Sequence, residues 1–288
     1  MTEIISEYVG VVGAGQMGSG IAEVFAQHGF DVVLLDSFDG ALAKAKDKVN
    51  SDMKRLVSKG KWSEIDANDV MRRITYAKDF ELLSKNVLVI EAVPEILTLK
   101  REIFFNIESN VSDETIIASN ASALPISSII SNVSRKERCI GLHFFYPATI
   151  MKLVEVIPSF FTNQAVIDKT TELITRAGRT PAMAPETPGF LVNRLLVPMQ
   201  NEAAYLVMEG AKPEDVDKAM KLGANFPMGP LELTDYVGVD VMYNTMVQLY
   251  EGFHDSKYRP CPLLKIMVDS GFLGRKSGKG FYDYAISE

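Results

Sequence analysis

Several things are scarce in this sequence, and each scarcity excludes something. Only two cysteines, three histidines and one tryptophan occur among 288 residues. Cys139 and Cys261 are far apart, with no Cys-x-x-Cys pair. A disulfide framework and a zinc-ligand spacing are therefore both missing, no metal is expected, and the two cysteines read as buried thiols. No run approaches the roughly 18–20 consecutive apolar residues that a membrane span needs, so no membrane role is expected. Basic residues are not in excess: 30 Lys and Arg face 37 Asp and Glu, a net charge of −7. That balance argues against a generic nucleic-acid binder and still permits a local basic site for an anionic ligand. The first eight residues carry acids and no signal-peptide pattern. Asn-x-Ser triplets at Asn110, Asn120 and Asn132 then read as chance, and a reducing cytoplasm is the expected compartment.

What is present is ordinary globular composition, 47% apolar and 23% charged, at a length that suits two domains. Short apolar runs at 8–12, 32–35, 73–77, 87–92, 115–119 and 139–143 read as buried strands, most of them separated by helical stretches. Met17, Ile21, Val24 and Phe25 fall on one helical face, and that helix is expected to stop at His28-Gly29 with Gly29 as its C′ residue. Strand–helix alternation predicts a mostly parallel sheet covered on both faces. Two further strands, 151–157 and 180–183, flank a helix at 165–176. From Glu186 onward the pattern is all helical: 190–209, 213–222, 229–237, 240–250 and 263–270. Thr187 is expected as an N-cap with Pro188 at N1, and Gly223 as the residue that ends the second of these helices. The fold class is thus α/β, a Rossmann-type domain over 1–186 followed by an all-α domain over 187–288.

Gly13-Ala14-Gly15-Gln16-Met17-Gly18 follows a predicted strand and opens a predicted helix. Gly13 permits the tight turn, Gly15 lets backbone approach a pyrophosphate, and Gly18 lets helix and strand pack closely. The helix N-terminus then presents unpaired N–H groups to the anion. Asp36, at the end of the next strand, would accept hydrogen bonds from ribose hydroxyls; a solvated strand-end acid is the alternative. A carboxylate there repels a 2′-phosphate, and Ser37 and Phe38 follow rather than Arg, which favours NAD over NADP. A second glycine-rich stretch, Gly274 to Gly280, has the wrong spacing for a phosphate loop and reads as a turn before Phe281, Tyr282 and Tyr284.

Hydride chemistry at an alcohol needs a proton acceptor, and histidine suits it. His28 sits at a helix end and His254 in a polar loop, whereas His143 ends an apolar strand. Ligands of open α/β sheets bind at such strand ends. Glu155 is an acid inside the apolar stretch 151–157; a buried imidazole would satisfy it, and the alternative is a half-exposed strand with Glu155 in solvent. Asn193 lies on the first helix of the second domain, with Pro198 further along predicting a kink; a helix-surface amide is the alternative.

Together these residues resemble the short-chain L-3-hydroxyacyl-CoA dehydrogenase family. The likeness spans nearly the whole chain and includes Glu91-Ala92-Val93-Pro94-Glu95, Ser119-Asn120-Ala121-Ser122, His143-Phe144-Phe145, the 151–156 and 187–194 segments, and Gly274-Arg275-Lys276-Ser277-Gly278. The resemblance implies NAD as cofactor, an acyl-CoA substrate and a homodimer made by the helical domain. It implies His143 as catalytic base and Glu155 as its partner, with Ser122 and Asn193 holding substrate. Asp36, Glu95, Lys100, Ser122 and Lys276 match NAD contacts. Lys59 matches a coenzyme A contact, and Lys54 and Arg55 are neighbouring basic candidates, within a seven-residue basic set from Lys44 to Lys61 that otherwise reads as a solvated helix face.

The sequence departs from the family where Tyr146 replaces an Asn, Ala121 a Thr and Thr149 a Pro. Two other readings stay open: a dehydrogenase of a free hydroxy acid or sugar acid, and a catalytically silent NAD-binding protein.

Overall fold

The computed structural model describes residues 7–284. Most of the opening stretch read above for a signal peptide lies outside the described residues. The chain divides into two compact units, Met1–Glu186 and Thr187–Glu288.

The first unit is built on eight strands: β1 (Tyr8–Val12), β2 (Asp31–Leu35), β3 (Ile74–Ala77), β4 (Asn86–Glu91), β5 (Ile116–Ser119), β6 (Cys139–Phe144), β7 (Leu153–Pro158) and β8 (Thr180–Met183). Their order across the sheet is β3-β2-β1-β4-β5-β6-β7-β8. Strands β1 to β6 pair in parallel; β7 lies antiparallel to β6 and parallel to β8. The central strands are runs of β-branched and aliphatic residues because helices cover both faces of the sheet. Those helices are α1 (Gln16–Gln27), α2 (Asp39–Ser58), α3 (Glu64–Arg73), α4 (Leu97–Asn110), the short α5 (Ile126–Ile129) and α6 (Gln164–Arg176). Ile21, Val24 and Phe25 bury one face of α1 against the sheet. The helix ends at His28, and Gly29 takes the left-handed conformation at φ +88°. Strand order changes direction between β1 and β4, and in open α/β sheets the crevice outside the strand ends at such a point is where ligands bind.

The second unit holds α7 (Val192–Met208), α8 (Pro213–Gly223), α9 (Pro230–Val237), α10 (Val239–Phe253) and α11 (Pro262–Asp269). Val197, Ala204, Met242, Met246, Leu249, Leu264 and Met267 form its core. One sequence expectation fails here. Thr187 does not cap α7: its carbonyl accepts the Phe190 N–H in a turn, Gly189 and Phe190 are left-handed at φ +75° and +48°, and the N-cap is Leu191. Helix α8 ends at Gly223, within a residue of the expected end, and Asn225, at φ +57°, takes the left-handed conformation, which asparagine tolerates. Pro198 stands inside α7, which runs as one element from Val192 to Met208.

Candidate active site

The turn after β1 shows why its glycines are needed. Gly13 has φ +106°, and a Cβ there would lie 2.7 Å from the Ala92 carbonyl oxygen; a Cβ on Gly18 would fall within 1.7 Å of the Gly13 oxygen. At Gly15 a Cβ would meet nothing within 4 Å, so bare backbone faces open space at the N-terminus of α1. Ala14, Gln16 and Met17 complete the turn. Asp36 is bound to the same turn: its Oδ2 accepts the Ala14 N–H at 2.8 Å and its Oδ1 the Phe38 N–H at 2.9 Å. A carboxylate offers about four acceptor positions, so two stay open for hydroxyl donors. Beside it lies a cavity of about 220 Å³ whose walls include Gly13, Asp36, Phe80, Pro94, Leu99 and Ile103. A carboxylate on one side, an apolar slot on the other and an exposed helix N-terminus suit the ribose, base and pyrophosphate of a dinucleotide. Phe80, Leu99 and Ile103 were not among the sequence candidates. Position was the available signal, since Phe80 follows β3 and the other two open α4 after β4.

The second cluster lies at the carboxyl end of β6. Antiparallel register sets His143 directly opposite Glu155. The imidazole Nδ1 and Glu155 Oε2 are 2.7 Å apart, with Glu155 fully buried and His143 6% exposed. A carboxylate can only accept, so Nδ1 carries the hydrogen. The Phe145 ring packs on the imidazole at 4.5 Å between centroids. Phe144, between the two, is tied across the sheet: its N–H donates to Asn120 Oδ1 at 2.9 Å. Asn120 opens the loop that bears Ser122, which is half-buried. Glu95 Oε1 accepts the N–H groups of Ser122, Ala123 and Leu124 at 3.0, 3.1 and 3.2 Å. Lys100 is 1% exposed; its ammonium meets Glu91 at 2.8 Å, Glu95 at 3.1 Å and the Val93 carbonyl at 3.3 Å. Its ammonium is thus surrounded by protein partners, two of them hydrogen-bonded.

The structure thus joins His143, Glu155, Ser122, Glu95 and Lys100 through one chain of contacts, and the glycine turn with Asp36 through another. Lys54 and Arg55 on α2, and Lys59 just after it, stand exposed. Asn193 and Lys276 belong to the second unit. Asn193 is half-buried on the first turn of α7, and Lys276 pairs with Asp240 at 2.5 Å. Tyr146 is 53% exposed between β6 and β7, whereas Ala121 is fully buried, with its N–H on Ser119 Oγ. His28 and His254 lie at helix ends, the first with Nδ1 on the Val24 carbonyl at 2.8 Å. Among the described residues no helix is long and apolar enough to cross a membrane, and no group of three or more His, Cys, Asp or Glu is placed to hold a metal ion.

A doubly wound sheet with this glycine turn is the architecture of a dinucleotide-dependent dehydrogenase. Comparison with known proteins narrows the class. Residues 8–187 match the 3-hydroxyacyl-CoA dehydrogenase NAD binding domain, and residues 189–284 match the 3-hydroxyacyl-CoA dehydrogenase C-terminal domain. A probable 3-hydroxybutyryl-CoA dehydrogenase of Bacillus subtilis is 44% identical over 275 residues, 95% of this chain and 96% of that protein. The 3-hydroxybutyryl-CoA dehydrogenase of Clostridioides difficile is 42% identical over 95% of this chain and 98% of its own length. The crystal structure of (S)-3-hydroxybutyryl-CoA dehydrogenase from Ralstonia eutropha superposes with a TM-score of 0.95 at 42% identity, covering 97% of this chain and 99% of that one. The chain belongs to the 3-hydroxyacyl-CoA dehydrogenase family, and its first unit is that family's NAD-binding domain.

Proposed function

We propose that this protein interconverts an (S)-3-hydroxyacyl-CoA and the 3-oxoacyl-CoA with NAD, the short-chain pair being 3-hydroxybutyryl-CoA and acetoacetyl-CoA. The observation that carries this reading is the buried hydrogen bond between His143 and Glu155 beside the Ser122 loop. When bound, NAD would supply the acceptor for the C3 hydride, and its reduced form the donor in the reverse direction. His143 moves the proton at the substrate's 3-oxygen. Nδ1 keeps its hydrogen for Glu155, so the proton passes through Nε2. Glu155 orients the ring and balances the imidazolium that forms in turnover. Ser122 and Asn193 hold the reacting end of the substrate. The turn from Gly13 to Gly18, Asp36, Glu95, Ser122 and Lys276 hold the nucleotide, and Lys100 acts on it through Glu95. Lys54, Arg55 and Lys59 receive the coenzyme A phosphates. The helical unit makes a homodimer, a reading supported by Leu195, Leu222 and Ile266, which are 76%, 81% and 61% exposed. The free, buried thiols Cys139 and Cys261 suit a reducing cytoplasm.

The test is NADH oxidation on adding acetoacetyl-CoA, run beside free acetoacetate at equal concentration. Acyl-CoA turnover is expected to be much the faster, and His143→Ala to lower it by about 10²–10⁴-fold. Full activity in that variant removes the assigned base; preference for the free acid removes the substrate class.

A further inference from the structure

One buried charged cluster of the first unit has no part in the proton chemistry above. Glu91, the last residue of β4, is fully buried. Such a carboxylate is costly unless its lone pairs are met. Here Oε1 accepts from the Val93 N–H at 2.7 Å and the Lys100 ammonium at 2.8 Å, and Oε2 from the Ser119 hydroxyl at 2.7 Å. Burial pushes the Glu91 carboxyl above the usual carboxylate range, and Lys100 offsets that only in part.

The Val93 branch stays in the turn after β4; the other two branches, through Ser119 and through Lys100, lead to one loop. Ser119 Oγ accepts the Ala121 N–H at 3.2 Å. Lys100 holds Glu95, and Glu95 holds the N–H groups of Ser122, Ala123 and Leu124. The Glu91 backbone carbonyl itself accepts the Asn120 N–H at 2.8 Å. Asn120 receives the N–H of Phe144, next to His143. Apolar side chains of similar volume often replace a buried ion pair with no loss of stability. An apolar residue here would not hold polar loop groups in defined places, and that is what this carboxylate does.

We propose that Glu91 is a positioning residue: through Ser119, and through Lys100 and Glu95, it fixes the 120–124 loop so that Ser122 keeps its place relative to His143. This rests on the roles given above to Ser122 and His143.

The experiment is a double-mutant cycle read by steady-state kinetics with acetoacetyl-CoA and NADH. Glu91→Gln keeps the size and removes the charge that holds Lys100. It is expected to lower kcat roughly tenfold, and the Glu91→Gln/Ser122→Ala double variant to be no slower than Ser122→Ala alone within about twofold. A residue that merely supports the fold would multiply the two losses, and that result overturns the proposal. If Glu91→Gln does not fold, Ser119→Ala with Ser122→Ala runs the cycle through the milder branch, and multiplied losses there overturn it equally. Amide hydrogen exchange reads the loop whatever the substrate. Exchange at 122–124 is expected to rise about tenfold in Glu91→Gln or Ser119→Ala, with the β1 and β2 amides unchanged; unchanged loop exchange overturns the proposal. A wild-type protein inactive on acyl-CoA would reject the substrate reading, and the exchange result would then decide the positioning by itself.

Discussion

The sheet unit and the helical unit both bury carboxylates, and they use them differently. Near the carboxyl ends of the strands, Glu155 faces an imidazole and Glu91 an ammonium. In the helical unit, Asp217 accepts the N–H groups of Leu231 and Glu232 at 2.8 and 2.9 Å and the Tyr282 hydroxyl at 2.7 Å. Asp235 accepts the N–H groups of Phe281 and Tyr282, both at 3.0 Å, and the Tyr284 hydroxyl at 3.1 Å. Amide and phenol donors keep their protons near neutrality, so the two aspartates fasten chain segments: Asp217 the start of α9, Asp235 the segment that follows the glycine-rich turn. An imidazole gains and loses its proton, so a carboxylate facing it serves both states. A buried acid's partner therefore says more about its use than its burial does.

The first test addresses the chemical side of that contrast. Glu155→Gln keeps an acceptor for Nδ1 and removes the charge that balances an imidazolium. Steady-state assays are expected to give kcat lowered by at least about tenfold, with the urea midpoint little moved. A rate within twofold of wild type would erase the distinction between the two kinds of acid. The helical side gives the opposite pattern. Asp217→Ala orphans three donors and is expected to cost about 3 kcal/mol in urea unfolding, while kcat per folded molecule stays within twofold. Wild-type stability in Asp217→Ala would show that the carboxylate fastens nothing.

Sequence legibility followed the same divide. Glu155 stood out because an acid interrupts an apolar strand, and the structure buries it against His143. Glu91 carries the same signal at the end of the apolar run 87–90, yet it entered the sequence reading only as part of a motif. Its partners explain why. Ser119 lies on the neighbouring strand and Lys100 on the following helix, and neither strand register nor helix phase can be read from one strand alone. The parallel sheet was legible because short apolar runs alternated with amphipathic stretches. The start of α7 was not. Thr187-Pro188 has capping chemistry, but Arg194 N–H bonds the Gly189 carbonyl and the left-handed pair Gly189-Phe190 keeps the preceding residues out of the helix. The basic stretch on α2 was read by the sign of its charges alone, which hid Asp52 between Lys48 and Arg55.

Glu23 on α1 fits neither pattern and gives a smaller, pH-dependent effect. It is 1% exposed; Gln27 donates to its Oε1 at 2.9 Å, Lys48 stands 3.7 Å away, and Oε2 has no hydrogen-bond partner. Burial pushes its carboxyl from 4.5 to about 7. The folded protein therefore holds this proton over a range in which the unfolded chain has released it. Stability contributed at low pH is lost as pH rises from 4.5 to about 7, and it stays lost above. Glu23→Gln is expected to flatten that decline and to gain on the order of 2 kcal/mol above neutrality. Urea unfolding at about pH 5 and about pH 8 is the measurement. Parallel pH dependence in variant and wild type would assign the decline to other groups.

The smallest effect separates free surface charge from charge already paired. Arg55 and Lys48 both reach Asp52 at 2.9 Å, whereas Lys54 and Lys59 stand exposed and make no ion pair among the described residues. An ammonium with no protein partner keeps its full attraction for a phosphate, and exposed charge pairs are worth up to about 1 kcal/mol. Lys59→Ala or Lys54→Ala is therefore expected to raise KM for acetoacetyl-CoA about two- to fivefold, with kcat unchanged and Arg55→Ala weaker than either. Added salt should erase the difference, because exposed charges are screened within about 10 Å at 0.1 M. Free acetoacetate carries no phosphate, so its KM should not respond to these substitutions. Equal responses from the two substrates, or a salt-independent loss in kcat, would mean that the α2 cations act on the fold and not on the coenzyme A end of the substrate.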